Sequence, residues 1–251
     1  MRKFGLIGFP LGHSFSKQYF TNKFINESIH DCSYDNYELK NLHAIKDLIL
    51  NDPEICGLNI TIPYKSEIIK YLDDADNESV EIGAVNVIKI SYKNESPFLK
   101  GFNTDIFGFK ESLTPYLHGD GIKRAVILGT GGSAKAIDYV LKKLGIEIVH
   151  VSRISGEGAI SYNELTDKML IDNQLIVNTT PLGMFPNIND KPDLNYNYLN
   201  ENHILFDLIY NPALTSFLKM GKERGCKLIG GLEMLYLQAE KSWEIWNNPK
   251  I

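Results

Sequence analysis

Segments with the pattern of strands alternate with segments that have the pattern of helices along almost the whole chain. In strand-like segments apolar residues alternate or form short runs, and in helix-like segments they recur every three or four positions. The predicted strands cover residues 4–7, 34–39, 56–62, 85–90, 124–128, 146–151, 174–178, 203–208 and 226–229. The predicted helices cover residues 15–24, 42–50, 65–72, 105–117 and 232–246, with one more between positions 134 and 145. This alternation predicts an α/β protein built on largely parallel sheets.

The composition is that of an ordinary globular protein. Of the 251 residues, 43% are hydrophobic and 23% are charged, so the chain can bury the core of one large domain or of two smaller ones. The net charge of -5 argues against nucleic acid or an anionic membrane as the main partner. Because Gly5, Gly8 and Pro10 interrupt the start of the chain, we interpret it as a first strand rather than a signal peptide.

The cysteines give no sign of a metal centre or of a disulfide framework. Cys32, Cys56 and Cys226 are odd in number and far apart in the sequence, and no Cys-x-x-Cys spacing occurs. We therefore expect a reduced, cytoplasmic protein that binds no metal. The sequence contains no dimerisation motif, so a monomer and a homodimer both remain open.

Polar side chains follow one face of the predicted strand at residues 56–62. Apolar positions 58, 60 and 62 form its buried face and alternate with Asn59 and Thr61, which therefore point to the other side of the sheet. Pro63 ends the strand, and Lys65 follows it. An amide, a hydroxyl and an ammonium group at one sheet edge are suited to bind a small molecule rich in oxygen. The alternative is an ordinary strand whose polar face meets solvent.

A glycine-rich turn joins the predicted strand at residues 124–128 to the helix that follows. Its spacing is Gly129-x-Gly131-x-x-Ala134. In Rossmann-type sites the first glycine permits a tight turn, the second lets a pyrophosphate approach the backbone, and the third small residue allows close packing of helix and strand. The phosphate then lies at the helix N-terminus, where N–H groups and the helix dipole favour negative charge. Methyltransferases and plain α/β turns share such glycines, so the turn alone does not name the nucleotide.

The end of the next predicted strand helps to distinguish the two nicotinamide dinucleotides. NAD sites have an acidic residue about 20 residues after the glycine turn, which binds the ribose hydroxyls. Here the strand ends in Ser152 and Arg153, and the next acidic residue is Glu157. An arginine suits the 2′-phosphate of NADP because its guanidinium group binds phosphate oxygens in pairs. We therefore predict NADP rather than NAD; the alternative is a solvated surface arginine.

Several segments in a fixed order resemble the shikimate dehydrogenase family, and together they extend over essentially the whole chain. They are residues 8–16, 57–65, 83–86, 101–108, 129–136, 178–184, 207–212 and 230–238. The resemblance implies an N-terminal α/β substrate domain and a Rossmann-like NADP domain that flank a cleft. The implied substrate domain is 1–104 plus 232–251 and the NADP domain is 105–231, with the C-terminal helix returning to the first domain.

The resemblance also implies which residues form the site. Those implied to contact the substrate are Ser14, Ser16, Asn59, Thr61, Lys65, Asn86, Asp105, Tyr210 and Gln238. Those implied to bind NADP are Gly129, Thr130, Gly131, Gly132, Ser133, Ala134, Ser152, Arg153, Thr179, Leu208 and Gly231, the last three near the nicotinamide. The sequence departs from the usual family pattern on both sides of Arg153: the usual Asn-Arg-Thr motif appears as Ser152-Arg153-Ile154, and no second basic residue is evident.

The activity that the resemblance implies is the reversible, NADPH-dependent reduction of 3-dehydroshikimate to shikimate, a step of chorismate and aromatic amino-acid biosynthesis. Lys65 would donate or accept the proton at the C3 oxygen of the substrate, and Asp105 would hold Lys65 in place. A cation and a hydrogen-bond network then stabilise the developing charge, so that no metal is required. One alternative is a quinate/shikimate dehydrogenase with relaxed cofactor use. Another is a non-catalytic nucleotide-binding regulator of the same fold, against which the presence of both Lys65 and Asp105 argues.

Overall fold

The chain divides into two compact α/β units. The computed structural model describes residues 1–11, 15–94, 96–117, 121–156 and 158–250. Unit 1 consists of Met1–Thr104 and Ala239–Ile251, and unit 2 consists of Asp105–Gln238. Across the described ranges, no helix is both long enough and apolar enough to cross a membrane.

Unit 1 contains a mixed sheet of six strands. The strands are β1 (Arg2–Gly8), β2 (Cys32–Glu38), β3 (Ile55–Ile60), β4 (Asp74–Ala75), β5 (Val87–Lys93) and β6 (Ser96–Phe102). Their order in the sheet is β2-β1-β3-β5-β6-β4. β1, β2 and β3 are parallel, whereas β5 runs antiparallel to both β3 and β6. Because β4 is parallel to β6, five of these six strands run in one direction and β5 alone is reversed. The expectation of a largely parallel sheet is therefore confirmed for unit 1, with β5 as the exception.

The sequence pattern missed two strands of this sheet, the two-residue β4 and the longer β6, which pairs with β5 along its whole length. Its sequence contains Pro97, Lys100 and Gly101, residue types that are depleted in strands, so its composition conceals β6. The connection from β5 to β6 is far too short for a crossover between parallel strands, which fixes the pair as antiparallel.

The helices of unit 1 are short. They are α1 (Phe15–Asn26), α2 (Ala44–Asn51) and α3 (Asn77–Ile82). The predicted helix at residues 65–72 is instead a shorter 3₁₀ segment, Glu67–Tyr71. β3 ends at Ile60, and Ile62, which the alternating pattern predicts to be buried, is 61% exposed beyond the end of the strand.

The last helix, α8 (Gly231–Asn247), crosses the division between the units, and its final turns pack on the sheet of unit 1. Trp246 donates its indole N–H to the Ile88 carbonyl oxygen at 3.0 Å, and its ring stacks on Phe4. A Cβ atom at Gly57 would lie 2.3 Å from the Trp246 Nε1 atom. The packing of α8 on β3 therefore requires glycine at position 57.

Unit 2 contains a parallel sheet of six strands. The strands are β7 (Arg124–Leu128), β8 (Glu147–Ser152), β9 (Ala159–Ser161), β10 (Leu175–Asn178), β11 (Ile204–Asp207) and β12 (Lys227–Ile229). The helices are α4 (Asp105–Leu113), α5 (Gly132–Lys143), α6 (Asp167–Asp172) and α7 (Ser216–Glu223). Numbered from β7, the sheet order β9-β8-β7-β10-β11-β12 is the 3-2-1-4-5-6 order of Rossmann folds. The Rossmann-like prediction is confirmed.

Candidate functional site

The Asn59 side chain, on β3, is held from two sides by buried hydroxyl groups. The Tyr34 Oη atom donates to the Asn59 Oδ1 atom at 2.8 Å. The Asn59 Nδ2 atom donates to the Ser242 Oγ atom at 3.1 Å, and more weakly to the Asn86 backbone carbonyl oxygen at 3.5 Å. Tyr34 and Ser242 are buried, whereas Asn59 itself is half-buried. The amide of Asn59 therefore has a defined orientation and an accessible side.

Hydrogen bonds extend this arrangement to Asn86 and Ser16. Asn86 is paired with Thr104 twice, through the Thr104 N–H at 2.7 Å and the Thr104 hydroxyl at 3.1 Å. The Thr104 hydroxyl also lies 3.4 Å from the Ser242 Oγ atom. At the other end, the Tyr34 hydroxyl is hydrogen-bonded to Ser16. The structure thus joins Ser16, Asn59 and Asn86, three of the predicted substrate residues, in one polar network of unit 1.

The sequence interpretation missed Tyr34, Thr104 and Ser242, the residues that connect this network. Burial raises the pKa of Tyr34 well above its ordinary value, so its hydroxyl stays protonated and can donate. Ser242 lies four residues after Gln238 on α8, which is one helical turn along the same face. A small hydroxyl one turn from a predicted substrate residue was the available sequence signal.

Thr61 and Lys65 lie in the segment that follows β3. The Thr61 N–H donates to the Ile7 carbonyl oxygen at 2.9 Å, and its methyl group occupies the space that a Cβ atom at Gly8 would need, 2.5 Å away. The Lys65 carbonyl oxygen accepts the Val85 N–H at 2.7 Å, which ties Lys65 to the residue before Asn86. The predicted Ser14 lies outside the described residues.

The remaining predicted substrate residues belong to unit 2. Asp105 is the first residue of α4 and is buried. One turn later on the same face, a Cβ atom at Gly108 would lie 2.6 Å from the Met234 carbonyl oxygen and 3.4 Å from the Gln238 Cβ atom. The α4 face that carries Asp105 therefore packs against the α8 turns that end at Gln238. Tyr210 is half-buried in the loop after β11.

The glycine turn forms an open cradle at the start of α5. Gly129 adopts φ +110°, and a Cβ atom there would lie 2.6 Å from the Thr179 Oγ1 atom. Gly131 is the N-cap of α5, and a Cβ atom added to it would meet no atom within 4 Å in the described part of the chain. Ala134 is buried, which allows close packing of the helix on the sheet. An unobstructed helix N-terminus of this kind fits the pyrophosphate of a dinucleotide.

The carboxyl ends of four strands carry the other predicted cofactor residues. Gly129 follows β7, Ser152 ends β8, Thr179 follows β10 and Leu208 follows β11. Thr130, Gly132 and Ser133 belong to the turn and to the first residues of α5. A Cβ atom at Gly231 would lie 2.2 Å from the Leu208 carbonyl oxygen, so the structure places these two residues in direct contact. Ligands of doubly wound sheets bind at this edge, where β7 and β10 mark the reversal of strand order.

The loop after β8 presents Arg153 at the surface. The Ser152 hydroxyl accepts the Ile154 N–H at 3.3 Å, and Ile154 itself is 81% exposed. Further along, the Glu164 carboxylate accepts hydrogen bonds from the hydroxyl of Ser155 and from the N–H and hydroxyl of Ser161. These donors lower the pKa of Glu164 to about 2. The loop that carries Arg153 is therefore fixed at both ends by side-chain hydrogen bonds.

A buried carboxylate that the sequence interpretation missed orders the loops after β10 and β11. The carboxylate of Asp207 accepts hydrogen bonds from the Thr215 hydroxyl at 2.6 Å, from the Asn178 side-chain amide at 3.1 Å and from the Ile209 N–H at 3.1 Å. The Asn178 Oδ1 atom in turn accepts hydrogen bonds from both the N–H and the hydroxyl of Thr180. Asp207 and Asn178 therefore position the backbone on either side of Thr179 and Leu208.

The free energy of unfolding is expected to contain a contribution from Asp207 that decreases as the pH rises. Burial raises the pKa of Asp207 to about 6, so the folded protein holds this proton more tightly than the unfolded chain does. The resulting stabilisation is complete below the unfolded value of 3.8 and is lost as the pH rises through about 6. This difference between the pKa values of the folded and unfolded states corresponds to at most about 3 kcal/mol in the free energy of unfolding.

Urea unfolding of the wild type and of Asp207→Asn, between about pH 4 and about pH 7, measures this contribution. Asparagine does not titrate, so the wild-type value minus the variant value should fall by about 1–3 kcal/mol across the range. A difference that stays constant or grows with pH would show that burial does not disfavour the charged carboxylate.

The fold, the polar network of unit 1 and the glycine turn of unit 2 together define a class of protein. Unit 2 has a doubly wound parallel sheet with an open glycine cradle at its carboxyl edge, which is the architecture of a dinucleotide-binding domain. Unit 1 contributes amides and hydroxyls in one network, which suits a polar small molecule. Together these features define a dinucleotide-dependent α/β enzyme with a polar substrate.

Comparisons with known proteins identify the family. The family described as the shikimate dehydrogenase substrate binding domain matches residues 6–88. The shikimate dehydrogenase (NADP(+)) of Clostridium beijerinckii is 38% identical over 266 residues, which cover 100% of this chain and 94% of that protein. The chain belongs to the shikimate dehydrogenase family.

Solved structures agree with the sequence relationship. Shikimate dehydrogenase 1 of Peptoclostridium difficile matches with a TM-score of 0.85 and 39% identity, and the match covers 100% of this chain and 93% of that one. Shikimate 5-dehydrogenase of Thermus thermophilus, solved in complex with NADP(H) and shikimate, matches with a TM-score of 0.83 and 27% identity over 98% of this chain and 94% of that one.

Proposed function

We propose that this protein is an NADP-dependent shikimate dehydrogenase, which catalyses the reversible reduction of 3-dehydroshikimate to shikimate. The observation that carries the proposal is the polar network of Ser16, Asn59 and Asn86 in a chain whose other unit has an open dinucleotide cradle. The membership of the family over the whole chain supports the same conclusion.

The substrate carries a carboxylate and several hydroxyl or carbonyl oxygens attached to its carbon ring, and the proposed site offers groups that complement each of them. The hydroxyls of Ser14 and Ser16 would donate to the carboxylate. The oxygens attached to the ring would be bound by side-chain amides and hydroxyls. The residues that supply these groups are Asn59, Thr61, Asn86, Tyr210 and Gln238. Because amide and hydroxyl groups both donate and accept, they can recognise the hydroxyl and the carbonyl form of the same oxygen.

The cofactor residues have separate tasks in the proposed site. The N-terminus of α5 at Gly131 would hold the pyrophosphate, and Arg153 would bind the 2′-phosphate with a charge-assisted pair of hydrogen bonds. Thr179, Leu208 and Gly231 would lie beside the nicotinamide. When bound, NADPH supplies the hydride, and the protein contributes orientation and proton transfer.

Lys65 is the proposed acid–base residue. In the reductive direction the carbonyl carbon of 3-dehydroshikimate gains a hydride and its oxygen gains a proton from the Lys65 ammonium group. The amine that remains regains its proton from solvent. Asp105 would accept a hydrogen bond from the same substrate oxygen once it is a hydroxyl, which fixes the ring for transfer. In the oxidative direction each step is reversed.

The reductive reaction tests the proposal. Purified protein is incubated with 3-dehydroshikimate and NADPH, the loss of NADPH absorbance is followed, and the product is identified by NMR. We expect one shikimate formed for each NADPH consumed. Binding of NADPH without any reduction of 3-dehydroshikimate would instead support a nucleotide-binding regulator of the same fold.

A further inference from the structure

We propose that Tyr34 and Ser242 are positioning residues that set the orientation of the Asn59 amide in the substrate site. The inference rests on the proposed function, because it assigns Asn59 to the binding of shikimate. Neither Tyr34 nor Ser242 needs to touch the substrate, since both act through the two ends of one side-chain amide.

The surroundings of Asn59 define which of its ends is oxygen and which is nitrogen. The nitrogen end faces the Asn86 carbonyl oxygen at 3.5 Å, and a carbonyl oxygen accepts hydrogen bonds but cannot donate one. The oxygen end therefore faces Tyr34, whose hydroxyl donates to it at 2.8 Å. Ser242 reinforces the same orientation because its Oγ atom accepts from the nitrogen end at 3.1 Å.

The hydroxyls are fixed independently of the substrate. The Tyr34 ring stacks on Phe20 with ring centroids 4.6 Å apart and lies 6.4 Å from Trp246, so the packing of the buried ring determines where its oxygen lies. Ser242 is fully buried on α8 and also approaches the Thr104 hydroxyl. An amide held at both ends by rigid groups is preorganised, so a ligand that uses it does not have to order it on binding.

Two variants remove one hydroxyl each while leaving the surrounding packing in place. Tyr34→Phe keeps the ring, and Ser242→Ala keeps the helical backbone and most of the side-chain volume. A net hydrogen bond is worth about 1 kcal/mol, so each variant should raise the Kd of shikimate, measured by calorimetry, by about 3- to 10-fold. The KM for shikimate should rise by the same factor, while kcat and the KM for NADP change by less than about 2-fold.

Matched controls separate positioning from a general loss of a buried hydroxyl. Tyr196→Phe removes a buried hydroxyl in unit 2 that donates to the Pro192 carbonyl oxygen at 2.8 Å. Ser79→Ala removes a fully buried hydroxyl on α3 that has no hydrogen-bond partner within the described ranges. Both controls should leave the Kd of shikimate unchanged, and Ser242→Thr, which retains the hydroxyl, should restore part of the affinity.

A double-variant cycle tests whether Tyr34 acts through Asn59. In an Asn59→Ala background, Tyr34→Phe should raise the Kd of shikimate by a clearly smaller factor than in the wild type, because the amide it positions is gone and only its hydrogen bond to Ser16 is still lost. An equal effect in both backgrounds, or wild-type affinity in both single variants, would overturn the positioning role. A wild type that neither binds nor oxidises shikimate would overturn the proposed function as well, so the two failures are distinguishable.

Discussion

Replacing Lys65 with alanine is expected to lower kcat for shikimate oxidation by about 10²–10⁴-fold, which is the usual contribution of a general acid–base. The residue follows β3 and is half-buried, and its backbone is tied to Val85 by a hydrogen bond of 2.7 Å. Since the dinucleotide cradle belongs to unit 2, the Kd for NADP should change by less than about 2-fold. Steady-state kinetics and calorimetry with NADP measure the two quantities.

Lys70→Ala provides the control for this experiment. Lys70 lies in the 3₁₀ segment Glu67–Tyr71, is exposed, and has the same charge as Lys65. Its replacement should leave kcat within about 2-fold of the wild-type value, as is usual for exposed positions away from the chemistry. Near-normal turnover in Lys65→Ala would exclude Lys65 as the acid–base residue, regardless of the kcat measured for Lys70→Ala.

Replacing Arg153 with alanine is expected to raise the KM for NADP by about 10- to 100-fold and the KM for NAD by less than about 2-fold. The reason is that hydrogen bonds between charged groups contribute about 1.5–3 kcal/mol, and only NADP carries the 2′-phosphate that would form them. Kinetics with both cofactors at saturating shikimate measure the effect.

Arg124→Ala is the matched control for Arg153. Arg124 begins β7, at the end of the strand that is opposite to the glycine turn. Its side chain is half-exposed and forms an ion pair with Glu147 at 2.9 Å. Its loss should alter neither cofactor KM, because it is remote from the carboxyl edge of the sheet. Equal losses for NADP and NAD in Arg153→Ala would refute the 2′-phosphate role and favour relaxed cofactor use, in keeping with the exposed Ile154 beside it.

The parts of the fold that could be predicted are those with local signals. β7, the glycine turn and α5 follow one another directly in the sequence, and each has a pattern of its own. The parallel order of unit 2 follows from the alternation of strands with helices. In unit 1 the same reasoning missed β6, because its composition is unusual for a strand. It also did not predict that β5 is reversed, because the direction of a strand depends on its partner and on the length of its connection.

The residues that organise the site depend on contacts between distant parts of the chain. Ser242 is 183 positions from Asn59, and Tyr34 is 25 positions from it, so no periodicity connects them. Asp207 lies in one of the segments that carry the family resemblance, but its role depends on Thr215 and on burial in a sheet that only the folded chain provides. The candidate chemical groups were readable from the sequence, whereas the groups that hold them were not.

The most direct test of the proposed function is the reduction of NADP⁺ by purified protein in the presence of shikimate, run beside quinate and NAD⁺. We expect rapid formation of NADPH that depends on both shikimate and NADP⁺, and much slower reaction with either alternative. Comparable rates with quinate or NAD⁺ would make the protein a broader quinate/shikimate dehydrogenase. Binding of NADP⁺ without any shikimate-dependent reduction would contradict the assignment as an enzyme.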